Sequence, residues 1–177
     1  MALFSAQKSA RAAVGEPVVS HALVADVGEI DRIEQAAFST PWSRDLIRSA
    51  ILNRRYLVRI LRDAESRVTG FYIAHTVDGR SNLDNLAVEV GARRQGWGRC
   101  LVTDWILQVR RQSLSSLTLQ VNTGNWAAQR LYRQFRFKPT RLLVGYYPNG
   151  EDAYQMEMPL AAASAGSRPE AHAAAAD

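Results

Sequence analysis

Leu83-Asp84-Asn85-Leu86-Ala87-Val88-Glu89-Val90-Gly91-Ala92-Arg93-Arg94-Gln95-Gly96-Trp97-Gly98-Arg99 starts as an apolar strand, breaks into a Gly-rich turn and restarts as a helix that runs from Trp97 to about Arg111. Such a junction aims several backbone N–H groups at one place, with the positive end of the helix dipole behind them. It is a phosphate site. Gly96 and Gly98 lack a Cβ, so an anion can come close to the main chain, and Arg93, Arg94 and Arg99 surround it with positive charge. Two phosphate loops are excluded by spacing. The dinucleotide fingerprint needs a third Gly where Leu101 stands, and the Walker A loop needs a Gly-Lys-Ser/Thr ending that is absent.

Outward from this turn, hydrophobic periodicity places the remaining elements. Leu117, Leu119 and Val121 share one face of a strand Ser115–Asn122, with Thr118, Gln120 and Asn122 on the other, and Asn125 caps the helix that follows. In the helix from Trp97, the residues Leu101, Val102, Trp105, Ile106 and Val109 form one apolar face. Upstream, Val18–Leu23 reads as a strand, Val27–Phe38 as a helix, and Ser43–Leu52 as a second helix capped by Ser43. Tyr56–Leu61 and Val68–Val77 read as antiparallel strands joined by Arg62–Arg67, and Ser81–Val90 extends their sheet. Arg136–Gly145 and Ala153–Met158 complete an α/β domain over residues 17–160, with about seven mostly antiparallel strands and four helices. Residues 1–16 and the Ala-rich 161–177 are expected to be disordered extensions.

Composition narrows the function class. The chain has 177 residues, 47% apolar and 22% charged, enough for one domain with a sizeable core. No apolar run approaches the ~20 residues of a membrane span, and the first residues lack a secretory apolar stretch, so a cytoplasmic protein without a membrane role is expected. Cys100 is a lone cysteine, read as apolar filler, and His21, His75 and His172 are scattered, so no metal site is expected. Net charge is +5, and Arg130, Arg133, Arg136, Lys138 and Arg141 form a basic run without an acidic residue. That run fits a solvated face, attraction of a polyanionic cofactor, or visits to RNA-rich surfaces; no specific nucleic acid is expected.

Four motifs carry a resemblance. Arg93-x-x-Gly96-x-Gly98 resembles the acyl-CoA pyrophosphate loop of the GNAT acetyltransferases, and Asn125-Trp126-Ala127-Ala128-Gln129-Arg130-Leu131-Tyr132 resembles their Asn-x-x-Ala-x-x-Leu-Tyr signature. Tyr146-Tyr147-Pro148-Asn149-Gly150-Glu151-Asp152-Ala153 resembles the hairpin over the peptide groove of the RimI-type enzymes, the protein N-terminal acetyltransferases within that family. Phe38 with Pro41-Trp42-Ser43 is similar to the loop between their first two helices. The resemblance implies the GNAT fold, with strands Ser81–Val90 and Ser115–Asn122 as a parallel pair that splays in the centre of the sheet. It implies acetyl-CoA as co-substrate: pantetheine along the main chain of Leu86, Ala87 and Val88, diphosphate on Arg93, Arg94, Gln95, Gly96, Trp97, Gly98 and Arg99, with Asn125 and Tyr132 nearby. Phe38, Trp42, Tyr146 and Tyr147 would grip the start of a polypeptide, for which a ribosomal protein is a candidate. A monomer or weak dimer is expected.

The resemblance also implies Tyr132 as the general acid that protonates the departing thiolate. It gives no base, because the Glu usual in RimI-type enzymes is replaced by Gln120, whose amide cannot accept a proton at neutral pH. Asp84, placed by strand alternation on one face with Asn82, Leu86 and Val88, is a candidate replacement, and His75 is another. Without any base an α-amine, with a pKa near 8, still offers about a tenth of itself neutral at pH 7, far more than a lysine. A second departure is Arg136, where the family usually has Gly before Phe137. A small-amine acetyltransferase and a non-catalytic acyl-CoA-binding protein are the alternatives; the first should lack the Tyr146-Tyr147 hairpin, and Gln120 argues for the second.

Overall fold

A computed structural model of the chain describes residues 17–160, so the expectations for 1–16 and 161–177 lie outside the described residues. The elements run β1 (Val18–His21), α1 (Val27–Ala37), α2 (Arg44–Leu52), β2 (Tyr56–Arg62), β3 (Val68–Val77), β4 (Arg80–Val88), α3 (Trp97–Arg110), β5 (Ser116–Asn122), α4 (Trp126–Gln134), β6 (Lys138–Leu143) and β7 (Ala153–Pro159). One seven-stranded sheet has the order β1-β2-β3-β4-β5-β7-β6. All its neighbours are antiparallel except β4 and β5, which run parallel.

The central strands of the sheet are packed on both sides. Its α3 face holds Leu83, Leu117, Leu119, Val121 and Met156 against Leu101, Trp105 and Val109, with Cys100 half buried at the margin. On the opposite face Val58, Ile60, Phe71, Ile73 and Ala87 pack against Ile30 and Ile33 of α1 and Ile47 of α2. The expected caps are present: Ser43 Oγ accepts from the Leu46 N–H at 3.3 Å and Asn125 Oδ1 from Ala128 N–H at 3.1 Å. A polar tie that periodicity did not reveal links α3 to the sheet. Arg59 donates twice to Asp104, at 2.9 Å each, and Tyr72 donates to the same carboxylate at 2.8 Å.

Several ends differ from the sequence reading, each for a local reason. β1 stops at His21 because Leu23 N–H turns back to Asp26 Oδ2 at 2.7 Å. β4 stops at Val88 because Val90–Ala92 coil into a 3₁₀ turn. Glu89 there pairs with Arg32. β6 begins at Lys138 instead of Arg136. The end of α4 is a Schellman motif, in which Arg136 N–H bonds Arg133 O at 3.0 Å and Phe137 N–H bonds Tyr132 O at 3.2 Å. That closure puts Arg136 at φ 67°, the left-handed region that glycine occupies without a Cβ penalty. Arg136→Gly is therefore expected to stabilise the protein by about 1 kcal/mol, read as a rise in Tm of about 2–4 °C. A lower Tm would mean that the Arg136 side chain contributes more than its backbone costs.

The most consequential irregularity lies in β4. Ile73 pairs with Asn85 and Ala74 with Leu83, so Asp84 is an extra residue bulged out of the ladder. One inserted residue reverses the alternation beyond it. Leu83, Leu86 and Val88 all pack toward α3, whereas Asn85 reaches α1 and Asn82 lies across from His75. The expected shared face of Asn82, Asp84, Leu86 and Val88 is thus incorrect.

Candidate active site

β4 and β5 pair only from Arg80↔Ser116 to Leu83↔Leu119. Beyond that point they separate, and α4 and the β6–β7 hairpin close round the gap. The resulting cleft, of ≈ 590 Å³, is lined by Asp84, Asn85 and Leu86 on one strand and Gln120, Val121 and Asn122 on the other. Phe38 and Trp42 come to it from the α1–α2 connection, Asn125 and Tyr132 from α4, and Tyr146, Tyr147 and Glu151 from the hairpin. Nine of the residues singled out from the sequence therefore meet in one cavity: Phe38, Trp42, Asp84, Leu86, Gln120, Asn125, Tyr132, Tyr146 and Tyr147. Ala87 is not among its lining residues; it is buried toward α1. Val88 packs toward α3, and Arg93 to Arg99 lie farther along at the C-terminal end of β4.

That end is open. Arg93, Arg94, Gln95 and Gly96 are exposed, and Gly96, at φ 88°, is the N-cap of α3 with no side chain to satisfy the first turn. The leading N–H groups of α3 thus face outward, as anion binding requires. Arg93 donates through Nε to Val88 O at 3.0 Å, and Arg99 bonds Gln134 Oε1 at 3.0 Å, so two of the three arginines are held in place.

At the inner end, Tyr132 is positioned by the Schellman closure and by Phe137, whose ring meets it edge-on with centroids 5.9 Å apart. Burial, reinforced by the nearby Tyr147, pushes the Tyr132 phenol above its ordinary pKa. Tyr146 and Tyr147 stand at right angles with centroids 5.1 Å apart. Both phenols are raised mainly by burial, and the Asp84 charge adds to the effect on Tyr146. Gln120 Nε2 donates to Asn82 Oδ1 at 3.3 Å, which leaves the amide oxygen as its acceptor. Asp84 Oδ2 meets His75 Nδ1 at 2.7 Å.

Three site features escaped the sequence reading. Glu34 is fully buried on α1, its Oε1 accepting from Trp42 N–H at 2.9 Å and from the Asn85 amide. It thereby fixes the loop of Phe38 and Trp42 against the bulged strand. Desolvation raises its carboxyl above the usual range despite these bonds, and its Oε2 has no partner. Glu34 falls four residues after Ile30, on the buried stripe of its helix, and a carboxylate at that spacing was the available signal. Asn85 reaches Glu34 only because of the bulge. Glu151 accepts from Asn122 Nδ2 at 2.6 Å and Asn149 Nδ2 at 2.9 Å, which ties the hairpin to the end of β5.

A wedge between parallel strands, a helix start open to anions and a phenol at the wedge wall define an acyl-CoA-dependent transferase. The chain belongs to the acetyltransferase (GNAT) family, whose pattern matches residues 27–137, and it is an N-acetyltransferase. Among its relatives, the ribosomal protein bS18-alanine N-acetyltransferase of Escherichia coli strain K12 is 33% identical over 131 residues, covering 72% of this chain and 87% of the relative. The enzyme of that name from Haemophilus ducreyi is 32% identical over 126 residues, covering 70% and 83%. The crystal structure of the E. coli ribosomal-protein-S18-alanine N-acetyltransferase superposes with TM-score 0.78 at 30% identity, covering 85% of this chain and 98% of that one. The NatC complex bound to Gag peptide and CoA shares the fold, with TM-score 0.74 and 23% identity over 82% of this chain and 99% of that one.

Proposed function

We propose that this enzyme transfers the acetyl group of acetyl-CoA to the α-amine of a polypeptide N-terminus, with a ribosomal protein beginning with Ala as the leading candidate acceptor. The observation that carries the reading is the continuity of the wedge with a groove flanked by Phe38, Trp42, Tyr146 and Tyr147. One end suits a thioester and the other a peptide. In this reading pantetheine lies along β4 at Leu86, Ala87 and Val88 like an added strand, and the diphosphate rests on the turn from Arg93 to Arg99, with Asn125 at the rim. Main-chain N–H groups of β4 stabilise the oxyanion that forms when the amine attacks. Tyr132 protonates the departing sulfur, a role open to a phenol because it carries its proton at neutral pH. Gln120 orients the amine through its carbonyl oxygen and takes no proton. The relatives named for alanine of protein bS18 support this choice of acceptor.

Acetyl-CoA with a panel of N-terminal peptides tests the reading: free thiol should appear with a peptide beginning with Ala and fail to appear when its α-amine is blocked. Thiol release no faster than in buffer would refute it. Gln120→Glu is expected to raise kcat about tenfold, because it restores a carboxylate at a position where general-base help contributes roughly 10²–10⁴-fold. An unchanged rate would show that proton removal does not limit turnover or that another group already performs it.

A further inference from the structure

Gln120 leaves the proton of the incoming ammonium without an acceptor, and the cleft wall contains a polar cluster that has no other task. Asp84 is the residue immediately after Leu83, the last β4 position paired to β5, so its bulge stands at the apex of the wedge. Both its oxygens are held. Oδ2 meets His75 Nδ1 at 2.7 Å and Oδ1 accepts from Asn82 Nδ2 at 2.9 Å. Asn82 Oδ1 in turn accepts from Thr118 Oγ1 at 3.1 Å and from Gln120 Nε2 at 3.3 Å. The chain of bonds thus crosses the wedge from β5 to β3 and includes the residue that stands where a base is missing. His75 rests on the Tyr56 ring with centroids 5.6 Å apart, and its side chain is 29% exposed against 16% for Asp84.

We propose that Asp84 takes the proton from the acceptor amine, and that His75 is a positioning residue that aims the carboxylate. The inference rests on the acetyl-transfer reading above. In the reaction an N–H bond of the ammonium breaks as an O–H bond forms on Asp84, and the freed lone pair attacks the thioester carbon. The C–S bond then breaks while sulfur takes the Tyr132 proton. A second proton from the same nitrogen returns to the Tyr132 phenolate, and Asp84 releases its own to solvent, so one proton leaves per turnover. Burial works in the same direction. It holds the Asp84 carboxyl above the usual carboxylate range, opposed by the bonds from His75 and Asn82, which makes it a better acceptor than an exposed aspartate.

The titratable groups facing the pair are Tyr56 from β2 and Tyr146 from the hairpin; β5 presents only uncharged Thr118 and Gln120. The contact with His75 favours the ionised carboxylate against the burial that opposes it. Turnover should fall as pH drops and Asp84 takes its proton from solvent, which leaves nothing to accept the proton of the amine. Glu151 is the competing carboxylate in the cleft, its Oε2 accepting from Asn122 of β5 and Asn149 of the hairpin.

The test is the pH dependence of kcat with acetyl-CoA and a peptide beginning with Ala. Asp84→Asn should lower kcat about 10²-fold, leave KM for acetyl-CoA unchanged, and be rescued by adding Gln120→Glu. His75→Gln keeps a donor to Asp84 but removes the imidazole that favours the ionised carboxylate, so it should hold the rate at pH 8 within a few-fold and move the acid limb to higher pH. Wild-type kcat and profile in Asp84→Asn, or a wild-type acid limb in His75→Gln, would overturn the inference while leaving the acceptor reading standing. So would a profile lost in Glu151→Gln and kept in Asp84→Asn. If Asp84→Asn fails to fold, the His75→Gln profile decides. No turnover of any N-terminal peptide by the wild-type enzyme removes the acceptor reading and this inference together.

Discussion

Tyr132→Phe is expected to lower kcat by about 10²–10⁴-fold, the usual contribution of a positioned general acid, with KM for acetyl-CoA nearly unchanged. The phenol lines the wedge, its ring is fixed by Phe137, and it carries its proton at neutral pH. Removal of the hydroxyl leaves that packing intact, so Tm should stay within about 2 °C of wild type, less than 1 kcal/mol for a chain of this size. Steady-state thiol release and a thermal melt read both quantities. A variant that melts normally and still turns over at the wild-type rate would show that the thiolate leaves unprotonated or takes its proton from solvent.

Trp105→Ala should have the largest effect on stability. Trp105 is fully buried, its ring stacks on Phe137 with centroids 5.7 Å apart, and Nε1 donates to Ser81 Oγ at 2.9 Å. Truncating a buried Trp costs about 3–5 kcal/mol, and the Ser81 hydroxyl loses its partner as well. A fall in Tm of about 6–20 °C follows, at about 2–4 °C per kcal/mol. The damage extends to catalysis because Phe137, which Trp105 supports from one side, holds Tyr132 on the other. Trp105→Phe fills most of the hole and should recover more than half of the loss. A melt within 3 °C of wild type for Trp105→Ala would contradict the packing argument.

Both predictions depend on how a local code meets long-range pairing. The helix starts at Ser43 and Asn125 were readable because a cap is a bond between residues three apart. The faces of β5 were readable because strand alternation has period 2 and nothing interrupts it there. On β4 the same rule failed beyond Leu83. A bulge is a property of two strands, and no residue near Asp84 announces that Ile73 and Ala74 will skip it. Arg136 misled for a related reason: the helix closure demands a left-handed residue, and the chain places a non-glycine there.

Motif order and spacing, which are linear, by themselves determined the α/β architecture, the exposed strand-to-helix turn at Gly96 and nine of the residues that line the cleft. They also showed that Gln120 cannot be the base. Tertiary structure alone decided that β4 and β5 part after Leu83 and Leu119, that Asp84 stands at the parting with His75 and Asn82 bound to it, and that buried Glu34 steadies the loop of Phe38 and Trp42. Those outcomes join residues far apart in the chain, and register, wedge and buried polar partners exist only once two faces of the sheet have been packed.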